Sequence, residues 1–260
     1  MAGSKQNTRI KEYAVDVNEK ALAVHHMLCR VYQCPIPYFH ELDPLSELIS
    51  SLLSHRTKNR DSGRAFKTLR ARFPEWELVR DARVQDVEEA IQAATWPEQK
   101  APRIQGVLQE STRRRGETLS LEFLADMPVH EARLWLEQLK GVGPKTSAAV
   151  LLFSRLRMPA LPVDCHHQRV AERLELIPKR LTASKMHDRL AGQLPEYFSA
   201  QEVYDNHEVL MLHGQRCCFL HNPTCSRCAV LELCPEGQRR LMPRTVDKGY
   251  DETISTVGAP

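Results

Sequence analysis

The sequence predicts an all-α protein. Apolar residues recur at i, i+3, i+4 and i+7 through segment after segment, the repeat of a helix with one buried face. Helix-start signals recur as well, the clearest being Asp43-Pro44 and Gly143-Pro144, where proline suits the first helical position. No stretch alternates apolar and polar residues as a half-buried strand would. About ten helices with short connections are expected, and pieces this short bury enough surface only by packing as a bundle.

In chain order, Met1 to Ala14 is polar and expected to be flexible. Asn18 is placed to cap a helix running to Tyr32, with Leu22, His25, Leu28 and Val31 along one side. Pro35 and Pro37 break the chain, and Cys29 and Cys34 read as unpaired thiols. Asp43-Pro44 opens a helix with Leu45, Leu48, Ile49, Leu52 and Leu53 inward, ended by the polar run Ser54 to Asn59. A helix from Asn59 ends at Pro74, and another spans Asp81 to Ala93. After the Trp96-Pro97 tip comes a helix with Ala101, Ile104, Val107 and Leu108 inward, ending near Arg113-Arg114-Arg115-Gly116. Pro128 starts the next, and further helices cover Cys165 to Leu176, Thr182 to Leu194 and Ser199 to His213. Gly214 reads as a C-terminal stop. Residues 241–260 read as a polar tail.

The 260 residues carry a net charge of only +3, so overall charge does not announce a nucleic-acid partner. Its distribution is more telling. Between His55 and Phe73, Arg56, Lys58, Arg60, Arg64, Lys67, Arg70 and Arg72 face only Asp61, which suits either a solvated helix face or a phosphate backbone. No apolar run is long enough to cross a membrane, and the N-terminus lacks the core of a secretory signal. The expected setting is intracellular, cytoplasmic or with the nucleoid if bacterial, where disulfides are not expected.

Around Leu139-Lys140-Gly141-Val142-Gly143-Pro144-Lys145-Thr146 the pattern is a tight glycine turn between two helices. Lys145 then sits at a helix N-terminus, where the helix field disfavours a second positive charge and so favours the neutral, nucleophilic amine. Structural or phosphate-binding roles for this lysine are its rivals. Asp164, after Pro162-Val163, is placed to cap the following helix. Near the C-terminus, Cys218, Cys225, Cys228 and Cys234 follow C-x6-C-x2-C-x5-C. Four thiolates this close can wrap one metal centre, and both zinc and an iron–sulfur cluster are open. Only Cys225 and Cys228 form a close pair, which suits a larger cluster better. Cys217 is the surplus thiol.

Hairpin, aspartate and cysteine spacing together resemble the endonuclease III family, the iron–sulfur branch of the helix-hairpin-helix DNA glycosylases. The resemblance runs from about Asp43 to Pro235 and also rests on Leu52 to Asn59, on Val163-Asp164-Cys165-His166-His167-Gln168-Arg169-Val170 and on His213-Gly214. It implies two helical lobes with a DNA cleft between them. One is a six-helix barrel over 43–155, with the helix-hairpin-helix at 134–155. The other, 15–42 plus 156–240, holds a [4Fe-4S] cluster on Cys218, Cys225, Cys228 and Cys234. The implied partner is damaged double-stranded DNA, met by a monomer away from any membrane. The implied activity is excision of oxidised pyrimidines by Lys145 with Asp164, followed by cleavage at the abasic site.

The resemblance further implies that backbone N–H groups at Gly141, Val142 and Gly143 hold a DNA phosphate, with a monovalent cation as a candidate bridge. His166 matches a family histidine that touches phosphate or supports the site. The chain departs from the family pattern at Arg56, where relatives carry glutamine, and at Trp96, where they often carry leucine. Both positions fill the gap left by a flipped base. His55 beside Arg56 is a further departure and a candidate DNA contact, and Cys165 replaces a frequent threonine. A monofunctional mismatch or adenine glycosylase, and a DNA-binding protein without catalysis, are the alternatives. Retention of Lys145 argues against the first, and retention of both Lys145 and Asp164 against the second.

Overall fold

The computed structural model describes residues 16–116 and 119–242. The expected flexible segment 1–14 and the tail from 243 onward lie outside the described residues. Within them the chain is helical and has no strand. The helices are α1 (Val17–Tyr32), α2 (Pro44–Ser54), α3 (Asn59–Arg72), α4 (Trp76–Asp81), α5 (Val84–Ala90), α6 (Pro97–Arg115), α7 (Val129–Glu137), α8 (Pro144–Phe153), α9 (Cys165–Arg173), α10 (Ala183–Ala191), α11 (Ala200–Arg216) and α12 (Pro235–Leu241).

Several helices start where local chemistry dictates. The Asp43 carboxylate accepts from Ser46 N–H at 2.9 Å, ahead of Pro44 at the first helical position. Ser199 and Glu202 form a reciprocal capping box at α11. At α1 the cap is Asp16, whose carboxylate accepts from Asn18 N–H, so Asn18 lies inside the helix instead of capping it. The helix expected over 81–93 is shorter, α5 (Val84–Ala90), and Asp81 instead ends α4, which the sequence did not announce; the extended backbone at Ala82 separates the two. Leu241 closes α12, so the polar tail begins later than the sequence suggested.

Two cores form. The first takes apolar faces from α2 to α8, among them Leu48, Leu52, Leu69, Ile104 and Leu136. The second takes α1, α9, α10 and α11 together with Val230 and Cys234. Helix α8 serves both: Leu151 packs into the first and Leu152 into the second. It is buried continuously from Thr146 to Leu152, which is why its sequence is apolar all round instead of striped. Helix α8, whose first turn carries Lys145, therefore lies where the two cores meet.

Gly214 does not stop α11, which continues to Arg216. A Cβ at Gly214 would stand 2.8 Å from His166 Cβ and 3.0 Å from the His166 carbonyl oxygen. The glycine lets α11 lie directly against α9. Cys29 and Cys34, read as unpaired thiols, are joined in a disulfide. The turn that ends α1 carries Cys34 N–H onto Cys29 O at 3.1 Å and folds one side chain back on the other.

Candidate active site

The glycine turn connects α7 to α8 and is closed by Val142 N–H donating to Leu139 O at 3.0 Å, with both side chains buried. Gly141 has φ +92°, a conformation that side chains rarely adopt, and a Cβ there would press on Arg103 Cδ at 2.7 Å. Gly143 is extended, so its use is not a special backbone angle. A Cβ there meets nothing within 4 Å, leaving this edge of the turn open. Ser147 Oγ donates to Glu137 Oε1 at 2.7 Å, and Arg133 pairs with the same carboxylate, fixing α8 against α7.

Lys145 is exposed in the first turn of α8. It lines a pocket of ≈ 420 Å³ with Ser54, His55, Arg56, Trp96, Gln99, Lys100 and Arg103. Arg56 and Trp96 both have left-handed backbones, φ +52° and +54°, a strain on the order of 1 kcal/mol each that the surroundings must impose. Those surroundings are explicit. The buried Lys100 ammonium donates to Leu53 O (2.6 Å), His55 O (2.8 Å) and Thr57 Oγ1 (2.7 Å). Thr57 Oγ1 also accepts from Thr95 N–H at 3.1 Å, which ties the Arg56 turn to the Trp96 turn. The two side chains then face each other, the Arg56 guanidinium 5.8 Å from the Trp96 ring centroid. Among the described residues Arg56 has no hydrogen-bond or ion-pair partner.

The cations crowd this pocket. Burial, with Arg103 nearby, holds Lys100 down at about 8. Burial, with Lys145, Lys100 and Arg103, holds His55 down at about 4. The His55 ring is turned inward onto Thr146 Oγ1 at 3.0 Å. Elsewhere on the basic run, Arg60 and Arg64 pair with Asp61, and Arg72 pairs with Asp86 and Glu89. Much of α3's positive charge is thus spent inside the protein.

Asp164 caps α9, its Oδ1 accepting from His166 N–H (2.9 Å) and His167 N–H (2.7 Å). Burial pushes its carboxyl up, but the His167 N–H bond and the neighbouring His207, His167 and Lys145 outweigh it and hold the acid below its ordinary range. Asp164 and Lys145 are therefore within electrostatic reach of each other. His166 is half-buried, its Nδ1 3.0 Å from the Arg169 guanidinium, and Arg169 also donates to Gly214 O at 2.7 Å.

Residues 49–196 match the family model of the HhH-GPD superfamily base excision DNA repair proteins. An endonuclease III of Thermotoga maritima is 30% identical over 203 residues, 77% of this chain and 86% of its own. The chain belongs to the endonuclease III family. It is a base excision repair DNA glycosylase of the HhH-GPD superfamily. A protein of Arabidopsis thaliana, provisionally named a DNA glycosylase, is 33% identical over 193 residues, 74% of this chain; the match spans 64% of that relative's length. Among solved structures, a non-covalent endonuclease III–DNA complex aligns with a TM-score of 0.70 at 22% identity, covering 86% of this chain and 97% of that one. That likeness speaks for the fold alone.

The endonuclease III-type cysteines gather in one place. Cys218, Cys225, Cys228 and Cys234 line a small cavity of ≈ 20 Å³ together with His213 and Cys217. Arg173 donates to Cys218 Sγ at 3.1 Å and Gly237 N–H to Cys234 Sγ at 3.3 Å. Cys228 Sγ lies 3.4 Å from His213 Nε2. Burial pushes the Cys225, Cys228 and Cys234 thiols above their ordinary range, so they ionise readily only against a cation. A metal centre fits this donor set. The spacing argument missed His213 and Cys217, whose ligand atoms lie within 4.8 Å of Cys228's and of each other.

The sequence reading also missed Lys100 and Arg103. They sit on a helix with a clear apolar period, where basic residues read as solvated.

Proposed function

We propose that this glycosylase excises oxidised pyrimidines from duplex DNA through a Schiff base on Lys145, then cleaves the abasic site by β-elimination. The observation that carries the reading is the placement of Lys145: exposed at the start of a doubly packed helix, on the wall of a pocket, within reach of a half-buried, ionised Asp164. A target base must leave the stack to meet it. Lys145 attacks C1′ as the base departs. Asp164, locked by its two backbone hydrogen bonds, stabilises the positive charge that develops on the sugar.

Backbone N–H groups at Gly141, Val142 and Gly143 hold a phosphate, alone or through a monovalent cation; the open edge at Gly143 leaves room for such an approach. Arg56 and Trp96 fill the gap in the stack. Arg56 can only donate hydrogen bonds, so it favours an orphaned base rich in acceptors. His55, turned inward onto Thr146, supports the turn that carries Arg56 instead of contacting DNA. His166, held by Arg169, keeps the start of α9 in place and is a phosphate contact from there. The lobes divide at 42/43 and 155/156. Cys218, Cys225, Cys228 and Cys234 would hold a [4Fe-4S] cluster, which would cross-link the 218–234 segment through its iron–thiolate bonds.

Borohydride trapping on duplexes carrying thymine glycol or an abasic site tests the reading. Wild type is expected to form a covalent adduct and Lys145→Ala none. Absence of adduct with wild type, together with base release that persists in Lys145→Ala, would point to a monofunctional glycosylase.

A further inference from the structure

The pocket that Lys145 lines is walled by the cations Arg56, Lys100, Arg103 and Lys145 and by no carboxylate. Such a wall suits an anion, yet thymine glycol is uncharged. The anions that arrive with a target nucleotide are its phosphates.

Three of the four cations already have a task. Lys100 directs its ammonium hydrogens to Leu53 O, His55 O and Thr57 Oγ1. Arg56 faces the Trp96 ring. Lys145 attacks only as a neutral amine. Arg103 remains. It is exposed on the second turn of α6, with no hydrogen-bond or ion-pair partner among the described residues. Its stem is nonetheless seated. A Cβ at Gly141 would stand 2.7 Å from Arg103 Cδ, 3.0 Å from Nε and 3.3 Å from Cγ. Three successive atoms of the arginine thus lie against the glycine turn, four residues ahead of Lys145, in the space a side chain at Gly141 would fill. The stem rests on the turn while the residue lines the Lys145 pocket.

Once Lys145 is bonded to C1′, the bond cut by β-elimination is C3′–O of the same sugar. The 3′ phosphate carries one negative charge as a diester and close to two as the released monoester. The second charge appears only as the bond breaks, so a cation facing it stabilises the transition state more than the bound DNA. A guanidinium suits this task, since its planar fork meets two phosphate oxygens at once.

We propose, on the lyase reading above, that Arg103 is a catalytic residue of strand cleavage, holding the 3′ phosphate of the target nucleotide and stabilising it as it is expelled. In this step the C2′–H bond breaks, its proton passes to a water molecule, and its electron pair forms the C2′=C3′ double bond. The C3′–O bond breaks and its pair leaves on the phosphate, where Arg103 meets the new charge. Arg103 gives up no proton. A second water then hydrolyses the imine and frees Lys145.

The test uses full-length wild type, Arg103→Ala and Arg103→Lys in excess over an abasic-site duplex, so that one turnover is followed. Borohydride trapping reports the imine, and strand nicking without borohydride reports expulsion of the phosphate. In Arg103→Ala the ratio of nicking rate to trapping rate should fall about 100-fold, the scale of one lost transition-state donor. Arg103→Lys keeps the charge without the fork and should fall about 10-fold. Guanidinium ion at low millimolar concentration should raise nicking by Arg103→Ala at least about 5-fold, and sodium chloride at the same concentration should not. A ratio within about 3-fold of wild type, including an equal loss in both assays, marks a plain phosphate anchor or brace and overturns the assignment. A failure of guanidinium to restore nicking overturns it as well. In both cases a wild type that traps and nicks leaves the lyase reading standing. A wild type that does neither overturns that reading and this assignment with it.

Discussion

Asp164 carries two jobs that a single atom-level change can separate. As an N-cap it accepts two backbone N–H bonds, and as a half-buried carboxylate it places negative charge near Lys145. Asparagine keeps an acceptor at the cap and removes the charge. Asp164→Asn is therefore expected to hold its stability to within about 1 kcal/mol, the scale of a cap. The same variant should lose at least about 100-fold in Schiff-base trapping on abasic DNA, because charge stabilisation of the developing cation is gone. Urea unfolding and trapping on one preparation measure both. A variant that traps like wild type would show that Asp164 does nothing beyond capping.

At the scale of elements, the contact between α9 and α11 governs the site, since α9 is capped by Asp164 and α11 leads into the cysteine segment. Gly214 sets their separation. A methyl there meets His166 Cβ and its carbonyl, and backbone cannot give way as a flexible side chain would. Gly214→Ala should cost about 1–3 kcal/mol in urea unfolding by overpacking, against at most about 1 kcal/mol gained in helix propensity. Equal or greater stability would show the helices are free to shift. This position also shows where the sequence was legible. Helices with a side-chain cap and a periodic face, such as α2 and α11, could be read directly. Gly214 was read as a stop because a terminating glycine and a close-approach glycine look the same along one helix; the deciding atom belongs to His166, on another. The short helices α4 and α12 escaped for a related reason. Helix α4 has no side-chain cap and is held by Trp76 against Phe66 and Arg70, and α12 is capped by a sulfur, Cys234 Sγ, which no start signal includes. The placement of Lys145 in the first turn of a helix, of Asp164 at a cap and of the four cysteines around one cavity was legible because backbone signals and spacing carry it. The part Lys100 plays in the frame was not, since it lies in burial.

Across the whole molecule, buried histidines set the response to acid. Burial holds His25, His55 and His207 down at about 4, and lowers His167 and His187 as well. In the unfolded chain these rings titrate near ~6.5. Between those values the unfolded chain binds more protons than the folded one, so stability falls as pH drops from about 6.5 toward 4. Glu208 acts in the opposite sense, since its raised folded value favours the folded state below about 7, but one carboxyl stands against several rings. The urea midpoint should therefore be clearly lower at pH 5 than at pH 7.5. An unchanged midpoint would mean the rings are hydrated in solution.

The frame around the pocket has a consequence for how such a protein changes over generations. Lys100, Thr57 and Thr95 join the Arg56 and Trp96 turns through backbone carbonyls, a backbone amide and each other, and none of those bonds involves the Arg56 or Trp96 side chain. The scaffold fixes where two side chains will point without regard to which side chains they are. Mutation can then exchange the Arg56 and Trp96 side chains and leave the architecture beneath them undisturbed. An arginine and a tryptophan here are one setting of an interchangeable mouth.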